Sequence, residues 1–237
     1  MIEFSDNAAT DLLLARIGRA RVLETAALLD VEALGAGVSP VLGALLTAVD
    51  DRLGDSVAER IRRLRALPAG ERAEHAWRLA ARYADAPEAA LAGLAPALAT
   101  LGAWGKQVAL ADALPWRGSA RDLATLVGEA TSGKALGRET ARIMERQLSW
   151  PMADPRIAAR FEALGLKEGA TAGVRALAGF ARPRNGPWNG RERVVVLLFE
   201  GMDAAAWQAS EEAASLLAAD LADTPEVVAS LRERMNR

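Results

Sequence analysis

Residues 182–201 read RPRNGPWNGRERVVVLLFEG, and the fold class turns on what this stretch does. Its first half is a Pro/Gly/Asn loop carrying Arg182, Arg184, Arg191 and Arg193 around Trp188. Its second half, Val194 to Phe199, is the longest run of large apolar side chains in the chain. A short apolar run between turn signals fits either a buried strand or part of a buried helix. A strand needs a neighbour for its backbone groups, and the rest of the chain offers no second run of this kind. Asn189 and Glu192 also stand at the spacing of a capping box. The reading preferred from sequence is a fully buried helix starting near Gly190. A lone short strand is the alternative.

The remaining sequence is dominated by alanine and leucine at helical spacing. Alanine makes up roughly a fifth of the chain, an excess over ordinary usage, and it is the strongest helix former. The expectation is therefore an all-α fold, an irregular multi-helix bundle of about nine to eleven helices. Asp154-Pro155 opens a short helix to Leu164, and residues 169–180 read as another. Near the N-terminus, Ser5 or Asp6 caps a helix whose apolar face, with Leu13, Ile17 and Leu28, runs to about Leu34. Trp150-Pro151 ends a helix that begins near Leu136. Leu114-Pro115-Trp116-Arg117-Gly118 is the first plausible boundary. It gives helical regions at 1–114 and 115–237, or one continuous domain.

The net charge of −2 gives no global argument for nucleic acid or an anionic membrane. With no cysteine, thiolate catalysis, disulfides and thiolate metal sites are excluded; the absence fits the cytoplasm. The uncharged stretch 89–105 is too short to span a bilayer, so no membrane span is expected.

Four constellations carry chemistry. Arg182, Arg184, Trp188, Arg191 and Arg193 combine the residue types enriched at binding hot spots, and they form the leading candidate for a partner contact. Residues 119–150 resemble a helix-turn-helix, with Lys134, Arg138, Arg142 and Arg146 as donors on or near the second helix. Asp50, Asp51 and Asp55 could hold Mg²⁺ for a diphosphate substrate, as in the aspartate-rich motifs of all-α isoprenoid enzymes, but no second such motif follows. Gly128 to Lys134 matches GxxxxGK, the core of a phosphate-binding loop, without the final Ser/Thr or the preceding strand. His75, the sole histidine, reads as part of a surface ion-pair ladder with Glu71 and Arg78.

These signals point first to a non-enzymatic interaction protein: an adaptor, accessory or assembly subunit that binds another protein or itself and needs no cofactor. A DNA-binding regulator using 119–150 and a carboxylate/Mg²⁺ enzyme of all-α fold are the alternatives.

Overall fold

A computed structural model describes residues 7–84, 87–149 and 155–235. The Ser5/Asp6 cap, the Trp150-Pro151 stop and Asp154 lie outside the described residues. The chain forms two compact units, Glu3–Ser119 and Ala120–Arg237.

The first unit is helical. Its elements are α1 (Asn7–Ile17), α2 (Arg19–Leu28), α3 (Glu32–Gly37), α4 (Val41–Leu46), α5 (Val57–Ala66), α6 (Ala69–Arg82), α7 (Pro87–Ala99) and α8 (Trp104–Ala113). Two short 3-10 turns, Thr47–Val49 and Asp51–Leu53, link α4 to α5. The single N-terminal helix expected from sequence is broken twice, at Gly18 (φ 77°) and at Asp30 (φ 57°). Leu13, Ile17 and Leu28 consequently stay exposed. The carboxylate of Asp11 accepts from the backbone N–H groups of Val41 and Leu42, at 2.6 and 2.8 Å. It caps α4 from a distant helix, where Pro40 has no side chain able to do so.

Helix α4 crosses α6 closely. A Cβ at Gly43 would stand 2.1 Å from the carbonyl oxygen of Ala76, so only glycine fits. Around this crossing Ala44, Ala48 and Ala76 pack with Ile61, Leu64, Leu101 and Leu110. A second cluster joins Leu46, Leu79 and Leu94.

The second unit overturns the all-α expectation. Among the described residues the chain has thirteen α-helices and a three-stranded antiparallel sheet. The strands are β1 (Phe161–Thr171), β2 (Val174–Pro183) and β3 (Arg193–Phe199), in the order β1-β2-β3. The helices are α9 (Ala120–Ser132), α10 (Arg138–Leu148), α11 (Pro155–Arg160), α12 (Ala204–Asp223) and α13 (Pro225–Met235). Val194–Phe199 is thus neither a buried helix nor a lone strand. Its partner is β2, from Arg175↔Phe199 to Ala181↔Arg193, and β2 in turn pairs with β1 through a hairpin closing at Thr171↔Val174. Gly173, at φ 76°, supplies the left-handed turn position that favours glycine.

Both partner strands come from segments that the composition assigned to helices. Their alanines and glycines serve close packing. On one face of the sheet Leu177, Val195, Leu197 and Phe199 meet Ala214 and Ala218 of α12, and Phe161, Leu164 and Ala181 meet Ala219 and Ala222. On the other face Phe180, Ala178, Ala163 and Val194 meet Val127 of α9 and Leu148 of α10. The unit is therefore three-layered, with its sheet between α12 and the α9/α10 pair. A register shift between Phe161 and Ala163 adds one residue and resets the alternation. This places Phe161 on the same face as Leu164 and Leu166. A Cβ at Gly165 would collide with the Phe180 ring, 2.3 Å away.

Candidate functional site

The connection from β2 to β3, residues 184–192, is where sequence placed the partner contact. Gly190 donates its N–H to the carbonyl of Pro183 at 2.9 Å, and Arg191 donates to that of Trp188 at 2.9 Å, so the loop folds back on its own stem. Its arginines divide into two kinds. Arg182 makes an ion pair of 2.5 Å with Glu145 of α10 and lies 3.9 Å from Glu192. The hydrogen bond to Glu145, opposed by burial, holds its guanidinium more firmly protonated than usual. Arg184 donates from Nε to the carbonyl of Phe161 at 2.7 Å, tying the loop to the start of β1. These two residues position the loop. Arg193 instead stacks its guanidinium 3.8 Å above the Trp188 ring, while Arg191 is exposed. Glu192 accepts from the Thr131 hydroxyl at 2.6 Å. The Asn189/Glu192 pair therefore forms no helix cap: Glu192 anchors the loop to α9.

Beyond this loop β3 forms an edge of the sheet. None of its residues is fully buried, and Leu198 is 42 % exposed. The opposite edge, β1, is met by an isolated bridge between Ser149 and Gly165. Among the described residues no strand pairs with the outer side of β3.

The other sequence candidates fall elsewhere. Lys134 lies in the turn after α9, and Arg138, Arg142 and Arg146 form an exposed ridge on α10, whose Ala141 and Leu148 face inward. Gly128 sits within α9, so the GxxxxGK stretch follows helix rather than strand. Asp50 is turned inward, and Arg52 donates to it at 2.8 and 2.6 Å. Asp51 and Asp55 are exposed. Among the described residues no three metal-ligating side chains gather.

His75 is buried rather than on a surface ladder. Its Nε2 lies 2.9 Å from Asp50 Oδ2, off the line of a hydrogen bond, and Arg78 lies 3.3 Å from Nδ1. Burial holds the imidazole below its usual range, and the attraction of Asp50 does not reverse this. The Arg52 hydrogen bond holds the Asp50 carboxyl low against the opposing effect of burial.

No family model, no characterised protein and no solved structure matches this chain. The functional reading rests on its own geometry.

Two buried arginines escaped sequence reading. Arg72 donates to the carbonyls of Asp112, Ala113 and Leu114 at 3.0, 3.2 and 3.3 Å, closing the C-terminus of α8. Arg175, 3 % exposed, pairs with Glu168, donates to Ser210 at 2.8 Å and stacks over Trp207. It joins β1, β2 and α12. An arginine amid alternating small residues was the only available signal for Arg175. For Arg72 there was none, because its acceptors are backbone atoms some forty residues away.

Proposed function

We propose that this chain works by contact with another protein, in the cytoplasm and without catalysis of its own. The contact surface is the outer edge of β3 with the Trp188, Arg191 and Arg193 end of the loop. One observation carries this reading: a seven-residue edge strand, RVVVLLF, with no described strand beyond it. Exposed edges are commonly blunted by lysine, proline or a bulge, and none interrupts Val194–Phe199. An extended segment added there would gain main-chain hydrogen bonds, and its alternate side chains would meet the two apolar faces. Arginine and tryptophan at the entrance suit a hot spot. No described helix is long and apolar enough to cross a membrane. The test is affinity co-purification from the source cells with the doubly substituted chain Leu198→Lys/Arg191→Glu, both residues being exposed. Partner recovery is expected to fall at least about tenfold, roughly 1.4 kcal/mol. Equal recovery with both chains would refute the site.

One observation favours a second reading. Arg138, Arg142 and Arg146 line one exposed side of α10 over about 12 Å, while the intervening Glu145 is engaged by Arg182. Such a ridge suits a phosphate backbone. A gel shift on duplex DNA that weakens steeply with salt and is lost on replacing the three arginines by alanine would support it. No shift at low salt would end it.

A further inference from the structure

The helical unit holds a second candidate surface, independent of the sheet edge. A groove of about 890 Å³ runs between α5 and the stretch from Thr100 into α8. Buried Ile61 and Leu101 form its floor with half-buried Val57 and Ala109, and exposed Ala58 and Ala66 extend the apolar strip. The charged residues lining it are all cationic: Arg62 and Arg65 from α5, Lys106 from α8. Their carboxylate neighbours are distant or solvated. Arg62 lies 3.7 Å from Glu59, and Arg65 lies 3.7 Å from Asp112. Exposed pairs of this length hold their partners weakly. Lys106 donates from Nζ to the carbonyl of Thr100 at 3.5 Å.

Two features decide what fits. The lining positions run from Ser56, the N-cap of α5, to Ala66 at its end, about 15 Å or nearly three helical turns. That is the length over which an amphipathic helix presents apolar anchors at i, i+3 or i+4, and i+7. Cations also stand on both elements that wall the groove, whereas an amphiphile with a single anionic head would need them at one end. We propose that this groove receives an amphipathic helix of a partner protein whose apolar stripe is flanked on both sides by Asp or Glu. The stripe covers Val57, Ile61, Leu101 and Ala109, and its acidic flanks meet Arg62, Arg65 and Lys106. Electrostatics of this kind set partner choice and association rate as much as affinity.

The test uses the full chain and a fluorescent model peptide of about 15 residues, with leucine at the stripe positions and glutamate on the flanks. Fluorescence anisotropy is expected to show saturable binding that weakens as salt is raised. Arg65→Gln with Lys106→Gln, both exposed, should weaken binding about tenfold, equivalent to about 1.4 kcal/mol. Ala58→Asp should abolish it: an acid in the first turn suits α5 itself but puts charge on the strip. A circular dichroism melt matching that of the parent chain confirms that each variant folds, and Arg16→Gln, an exposed cation outside the groove lining, should bind the peptide as the parent does. The proposal is overturned if no saturable binding occurs, or if a peptide with lysine flanks binds equally well. It also fails if the two glutamine substitutions change nothing, or if they alter self-association by sedimentation instead. Dodecanoate binding where the peptide does not bind would assign the groove to a lipid-like anion and equally overturn it.

Discussion

Replacing Phe180 by alanine tests the layered architecture where it is most tightly closed. The ring is fully buried and packs against Val127 of α9 and Leu148 of α10. Its edge lies where Gly165 would otherwise carry a Cβ. A buried aromatic withdraws about 150–250 Å² from water, so truncation to alanine forfeits on the order of 4 kcal/mol at about 25 cal/mol per Å². The cavity would be walled by a strand backbone and two helices, with little room to collapse. The expected loss therefore falls in the upper part of the ~3–5 kcal/mol range. Hydrogen exchange read by mass spectrometry on β2 peptides, residues 174–183, converts this to about a thousandfold loss of protection at 1.4 kcal/mol per decade. Phe180→Leu, which keeps most of the volume, should lose about tenfold. If Phe180→Ala changes β2 protection by less than tenfold, the ring does not hold the layers together and the three-layer account fails.

Acidification should weaken the helical unit in two stages. His75 and Asp50 both titrate below their ordinary values in the folded chain, so the unfolded state binds more protons. Stability is lost as pH falls below about 6.5 for the histidine and again below about 3.9 for the aspartate. The first stage has a slope of at most about 1.4 kcal/mol per pH unit, and melts of His75→Gln should lack it; a variant with the same slope would contradict the assignment. Asp11→Ala should cost about 1 kcal/mol through loss of the α4 cap, seen as faster exchange at Val41 and Leu42; unchanged exchange there would refute it. Arg72→Met should cost about 1–3 kcal/mol by removing charge-assisted bonds to the end of α8, with exchange rising first in that helix. A urea midpoint equal to that of the parent would refute this role.

The helical unit was legible in outline because proline, glycine and apolar spacing mark its elements. Gly54 and Pro68 fall at element boundaries, and Ile61 and Leu64 of α5 are buried together. The sheet was not legible. In β1 and β2 the residues that β structure usually favours are few, namely Phe161, Thr171, Val174 and Phe180, since alanine and glycine let α12 and Phe180 approach closely. Burial alternates along the first half of β2, with Arg175, Leu177 and Gly179 buried and Val174, Ala176 and Ala178 half-buried. Both faces carry small or apolar side chains, however, so no apolar/polar alternation marked the strand against its helix-forming composition. Only β3 looked like a strand, and without visible partners it was read as a helix. In the loop, residue type alone singled out the four arginines and Trp188. Sequence could not separate Arg182 and Arg184, which are occupied in holding the loop, from exposed Arg191 and the Arg193–Trp188 stack. That division depends on Glu145 and the carbonyl of Phe161, each about twenty or more residues away.

The central claim, that the open edge of β3 is where this protein meets its partner, is tested most directly by a photo-crosslinking side chain at Leu198. It would be activated in living cells and compared with the same group at exposed Arg16 in α1. The account predicts one discrete adduct from position 198, absent from position 16, whose linked peptide in the partner is an extended segment. Identical adduct patterns from the two positions, or none from 198, would contradict it.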